Sequence, residues 1–150
     1  AALGYLESRL DQSVVSPVGA IGVMQVLPST AASLHVGDIT QLEPNIHAGT
    51  RYLRRLMDGI ASPDVNRLNQ TLFALASYNG GQTRIRRLRR ETAEQGLYPN
   101  VWFHNVELAD ARVNGRQTVQ NERNIYQYHL TYRQVEDKRK ARAERALGRQ

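Results

Sequence analysis

The sequence predicts an all-α fold. Apolar residues recur at intervals of three and four along most of the chain, no segment alternates apolar and polar residues for long enough to make a strand, and glycine or proline punctuates the helical stretches. At 150 residues the chain suits one domain, whose core buries about two thirds of the surface an unfolded chain exposes. Hydrophobic residues make up 41% and charged residues 23%, which excludes disorder of the whole chain.

The elements follow in order. A first helix runs to about Leu10, and Pro28, a residue favoured in a helix's first turn, opens a second that reaches Leu34. From Asn45, expected as its cap, a long third helix carries the stripe Ile46, Gly49, Tyr52, Leu53, Leu56, Met57 and Ile60. Ser62-Pro63-Asp64 reads as the next start, with Ser62 as cap; Val65, Leu68, Leu72, Leu75 and Ala76 continue its apolar face, and Gly80-Gly81 stop it just past Asn79. A helix from Gln82 to Gln95 turns Ile85 and Leu88 inward and leaves its arginines in solvent, and Gly96 ends it. Pro99 begins an irregular stretch in which Trp102 is expected to pack against the last helix rather than stack on a sugar. Beyond Gly115 that last helix carries Val119, Ile125, Tyr126, Tyr128 and Tyr132. The domain is expected to span residues 1–135, followed by a basic tail over 136–150 that frays or projects.

Composition narrows the function. The chain lacks cysteine, which excludes disulfides and zinc-thiolate sites, and His35, His47, His104 and His129 have no metal-ligand spacing, so neither metal nor organic cofactor is expected. No run approaches the roughly 18 apolar residues needed to span a bilayer, and the opening Ala1-Ala2-Leu3 lacks the basic flank of a signal peptide. A formal charge of +6 favours a polyanionic partner: nucleic acid, anionic lipid or acidic cell-wall polymer. The arginine run Arg84 to Arg90 has core-spaced Ile85 and Leu88 between its charges, which argues for a solvated helix face rather than a nucleic-acid platform.

One carboxyl stands out for chemistry. Leu3, Leu6 and Leu10 surround Glu7 at helical spacing, and an apolar surrounding raises a carboxyl's pKa until it can donate a proton near neutrality, as glycoside cleavage requires. The alternative is a solvated helix glutamate. A second acid is hard to place, since Asp11 reads better as a loop-capping residue and Asp38 lies across a loop. Ser16 also reads as a turn residue before Pro17, and Tyr78 as a core aromatic whose hydroxyl finds a backbone partner. Gly19 and Gly22 serve the geometry of a sharp turn.

Four blocks in order carry a resemblance: Glu7-Ser8; Ser16 to Gln25 with Pro28-Ser29-Thr30-Ala31; Asn45-Ile46 with Gly49 and Tyr52-Leu53; and Ala76-Ser77-Tyr78-Asn79-Gly80-Gly81. Together they resemble the catalytic (SLT) domain of the lytic transglycosylases, with the membrane-bound F-type enzymes nearest in flavour. The resemblance implies a lysozyme-like (goose-type) helical domain acting on peptidoglycan glycan strands. In it Glu7 would protonate the bond between N-acetylmuramic acid and N-acetylglucosamine, then act as base while the muramoyl sugar closes to its 1,6-anhydro form. It further implies Ser16, Gln25 and Leu27 along the cleft, and Tyr78 placing its hydroxyl near Glu7 with Asn79 supporting the same wall. A monomer of the bacterial envelope follows, periplasmic and held to the outer membrane only by an anchor elsewhere in a longer chain. So does a preceding solute-binding-like domain, since so few residues stand before Glu7.

The chain departs from that pattern at Leu27, where many relatives have methionine, and at Gly80, where alanine is common. In the last helix Gln117 and Asn121-Glu122 replace an acidic residue and an aromatic-valine pair. Rival readings are a goose-type lysozyme that admits water to the same Glu7, a catalytically silent wall-binding module, and a nucleic-acid-binding helical protein.

Overall fold

A computed structural model describes residues 2–114 and Leu130. Among them every regular element is helical: α1 (Ala2–Ser8), α2 (Pro28–Ser33), α3 (Leu42–Ile60), α4 (Arg67–Gly80), α5 (Gln82–Glu94), a wide turn over Trp102–Val106 and α6 (Glu107–Asn114). The expected last helix beyond Gly115, with Gln117 and Asn121, and the tail over 136–150 lie outside the described residues.

Helix α1 is two residues shorter than its apolar pattern. Arg9 and Leu10 both take left-handed backbone (φ 59° and 66°), so the chain folds back and the Leu10 N–H reaches the Gly4 carbonyl at 3.3 Å. Leu10 therefore leaves the helix face that spacing assigned to it and is half exposed. The chain from residue 9 to 27 then makes a tight double reversal. Val15 pairs with Ile21 and Ile21 with Val26 as isolated bridges, and Gly19 and Gly22 (φ 81° and 76°) turn the corners. At Gly22 a Cβ would lie 2.5 Å from the Gln12 amide and 2.6 Å from Asn45 Nδ2. Gly22→Ala adds left-handed strain to that overlap and is expected to cost more than about 2 kcal/mol, read as a lowered urea midpoint at unchanged slope.

Helix α3 begins at Leu42, with Gln41 as N-cap, three residues before the expected start. Pro44 is tolerated because a first-turn residue has no intrahelical use for its N–H. Asn45 consequently does not cap the helix; it is fully buried inside it. Helix α4 likewise starts at Asn66, whose side chain accepts from Asn69 N at 2.9 Å. Ser62 instead closes a separate turn, accepting from Asp64 N through its hydroxyl and from Val65 N through its carbonyl. Gly81 (φ 85°) and Gly96 (φ 72°) end α4 and α5 where their sequence position indicated.

Helix α3 packs on α4 and α4 on α5. One core gathers Leu56, Leu72, Phe73, Ile85, Leu88, Trp102, Val106 and Ala109. A second joins Leu3 of α1, Val23, Met24 and Val26 of the reversal, Ala31, Ala48 and Leu75. Trp102, almost wholly buried, meets Phe73 of α4 edge-on at 5.6 Å; the last helix, against which it is expected to pack, lies outside the described residues. Tyr78 packs against both cores, and the candidate site sits at that junction.

Two of the arginines expected in solvent are structural. Arg84 of α5 pairs with the fully buried Asp110 of α6. Arg89 bonds the Pro99 carbonyl at 2.9 Å and the Asn100 side chain, and lies over the Phe73 ring. These contacts hold the segment after Gly96 against the helices, and the irregular stretch ends at Glu107 where α6 begins.

Candidate active site

Glu7 occupies the last turn of α1, partly buried, and burial pushes its carboxyl up to about 7. The next residue fixes that turn. The Ser8 hydroxyl lies 3.2 Å from the Gly4 carbonyl and 3.0 Å from the Val23 carbonyl, and it accepts from Asp11 N. One side chain thus ties the helix end carrying Glu7 to the reversal that forms the neighbouring wall.

Tyr78, on the last turn of α4, donates its hydroxyl to the Met24 carbonyl at 2.6 Å. Burial first, then the nearby Glu7 carboxyl, hold its phenol above the ordinary tyrosine range, so it stays protonated. The ring stacks at a tilt on Tyr52 of α3, centroids 5.2 Å apart. The Met24 N–H in turn donates to Asn45 Oδ1 at 2.8 Å.

The reversal presents the other candidates. Gln25 adopts φ 47° and donates its side-chain amide to the Val14 and Gly22 carbonyls at 3.1 and 2.9 Å. Those bonds engage its NH2, and what it can offer a ligand is its carbonyl oxygen. Ser16 Oγ accepts from Ala20 N at 3.0 Å across the turn, which keeps its O–H as the group to donate. Leu27 and Asn79 are exposed, Leu27 after the third arm of the reversal and Asn79 beside Tyr78. Glu7 and Tyr78 are brought together electrostatically, Ser16 and Gln25 share the reversal, and Leu27 and Asn79 stand at the surface.

The other acids near in sequence point elsewhere. Asp11 accepts from the backbone and hydroxyl of Ser13, and Asp38 does the same with Thr40; these bonds hold both exposed carboxyls below the usual range. Both are loop caps and remain ionised at neutral pH, whereas Glu7 keeps its proton up to about that range. Among the described residues no cluster of His, Asp or Glu could hold a metal ion, and no helix is long and apolar enough to cross a membrane. Sequence reasoning assigned no role to Ser8 and a wrong one to Asn45. The signal available was their place in the motif blocks.

Comparison with known proteins matches this geometry to a family. The family model described as the transglycosylase SLT domain matches residues 1–100. The membrane-bound lytic murein transglycosylase F of Vibrio cholerae is 35% identical over 155 aligned residues, covering 90% of this chain and 29% of that protein. Its counterpart from Erwinia tasmaniensis is 38% identical over 104 residues, 68% of this chain and 20% of the relative. Among solved structures, the 70 kDa soluble lytic transglycosylase of Escherichia coli superposes with a TM-score of 0.66 at 26% identity, over 89% of this chain and 21% of that one. The chain thus spans less than a third of the length of these proteins.

Proposed function

From the premise that this chain belongs to the transglycosylase SLT family, with its lysozyme-like helical fold, we propose that it cleaves peptidoglycan glycan strands without consuming water. The observation that carries the reading is Glu7: a carboxyl raised to about 7 by burial, while its sequence neighbours Asp11 and Asp38 are held ionised on their own loops. Among the described residues, then, one raised carboxyl is set apart from acids held ionised elsewhere, which suits a reaction that one group performs twice.

In the first step Glu7 gives its proton to the oxygen joining N-acetylmuramic acid to the next N-acetylglucosamine, and the bond from that oxygen to the muramoyl anomeric carbon breaks. The leaving sugar departs with the proton as a hydroxyl. The Glu7 carboxylate so formed takes the proton of the muramoyl 6-hydroxyl, whose oxygen bonds the anomeric carbon and closes the 1,6-anhydro ring. Glu7 ends protonated, and atoms and charge balance with no water added. Ser16, through its free O–H, and Gln25, through its carbonyl oxygen, are assigned to polar groups of the glycan, with Leu27 and Asn79 at the rim. No metal or organic cofactor enters any step.

The catalytic unit is taken to extend to about residue 135, and the place of work to be the bacterial envelope, where a basic surface meets acidic wall polymer. Mass spectrometry of the ends released from purified peptidoglycan tests the reading. Anhydro-muramoyl ends support it. Reducing ends, heavier by one water, would make the protein a lysozyme, and no release at all would make it a binding module.

A pH dependence follows. The first step needs Glu7 protonated in the free enzyme, so kcat/KM is expected to be level below about pH 6 and to fall close to tenfold per pH unit above about 7. A profile of soluble muropeptide release from pH 5 to 9 checks it; a rise through pH 7 would assign the essential group elsewhere.

A further inference from the structure

The bond between Tyr78 and Met24 constrains what Tyr78 can do. A backbone carbonyl can only accept, so the single hydroxyl proton of Tyr78 is committed to Met24, at 2.6 Å, and the phenolic oxygen has only lone pairs left to offer. On its remaining side it is an acceptor.

Met24 is held unusually firmly for a loop residue. Its N–H is bound by Asn45 Oδ1 at 2.8 Å, and Asn45 Nδ2 uses both hydrogens to grip the reversal and the loop before α3, on Ile21 O at 2.8 Å and Ile39 O at 3.0 Å. One helical turn on, Gly49 leaves the space that the Met24 side chain fills; a Cβ there would lie 2.5 Å from Met24 Cβ. The same side chain reaches α1, its sulfur 3.4 Å from where a Cβ would stand on Gly4. Helix α3 therefore forms a two-point socket for Met24 between α1, which carries Glu7, and α4, which carries Tyr78.

We infer that Asn45 is a positioning residue which, by holding Met24 through its N–H while the Met24 carbonyl takes the Tyr78 hydroxyl, turns Tyr78 into a hydrogen-bond acceptor toward Glu7 and the substrate. The inference rests on the transglycosylase reading for its kinetic consequence. An acceptor there welcomes the protonated Glu7 carboxyl, which has a hydrogen to give, and repels the ionised one. A Glu7 acid brought onto that oxygen would be oriented as well as protonated. Burial alone would favour the acid form without orienting it.

A double-mutant cycle separates this from a packing role. Tyr78→Phe and Asn45→Ala are each expected to lower kcat about tenfold or more with a smaller change in KM. If Asn45 acts through Tyr78, the double variant loses no more than the worse single one. Losses that multiply would overturn the inference. A second measurement stands apart from activity and from whether Asn45→Ala folds. With the Tyr78 ring labelled with carbon-13 at Cζ in the otherwise unaltered protein, a mixture of light and heavy water should give two resolved signals from a slowly exchanging hydroxyl. One averaged signal would show the proton is not held on Met24. A protein inert on peptidoglycan would sink the transglycosylase reading, while the Cζ signals would still decide whether the hydroxyl proton is held.

Discussion

Glu7→Gln is expected to lower release of muropeptides by more than about a thousandfold and at the same time to make the protein more stable above neutral pH. The first effect follows because one group serves as acid and then base, and an amide serves as neither. The second follows from linkage. The folded protein raises the Glu7 pKa from 4.5 to about 7, so between those values the folded state binds more protons than the unfolded one. Stability is then full below about pH 4.5, declines as pH rises toward 7, and is level again above it. At about 1.36 kcal/mol per pH unit the penalty is at most about 3 kcal/mol, and residual solvent contact of the carboxyl places it nearer 1–3 kcal/mol. Glutamine removes it. Urea titrations at pH 4 and pH 8 should give equal midpoints for the two proteins at the lower pH and a higher midpoint for the variant at the upper one. Equal midpoints at both would mean that Glu7 is not held in its acid form.

The largest loss of stability is expected at Arg84. Its guanidinium, on α5, pairs with Asp110 of α6, whose side chain has no solvent exposure, so Arg84→Ala takes a counter-charge away from a buried carboxylate. Removing one partner of such a pair costs about 3–5 kcal/mol, and the loss should appear as a thermal midpoint lower by well over 5 °C. Replacing both partners together, as Arg84→Met with Asp110→Leu, should recover most of it, since apolar side chains of similar volume do not need each other's charge. The pair also accounts for Gly80. A Cβ at that position would overlap Arg84 Nη1, so an alanine there would force the guanidinium away from Asp110. Gly80→Ala is expected to destabilise in the same direction but less, because Arg84 can bend.

Hydrophobic spacing located α3, α4 and α5, with Gly81 and Gly96 marking the ends of the last two, and Pro28 located the start of α2. It misplaced starts where two polar residues compete to cap, as Ser62 did with Asn66 and Asn45 with Gln41. It missed α6 for a physical reason: the buried side of that helix includes Glu107 and Asp110, so burial there follows ion pairing rather than hydropathy. The α3 stripe was drawn too far outward as well. Ile46 is exposed, and the turn it occupies buries Asn45 and Ala48 instead. For the candidate site, the burial of Glu7 was legible from its leucines, although Leu10 turns away and the wall beside it comes from the Met24 segment and Tyr78. Neither the Asn45 socket nor the Arg84 clip was legible. Asn45 bonds residues 21 and 24 positions away, and Arg84 and Asp110 stand 26 apart; spacing carries no trace of such contacts.

The central claim is that Glu7 drives an internal ring closure, and it is tested most directly by digesting purified peptidoglycan in water enriched in the heavy oxygen isotope. The expected result is anhydro-muramoyl ends carrying no label, and none of them from Glu7→Gln. One heavy oxygen at each new end would show that water is the acceptor, and would contradict the account.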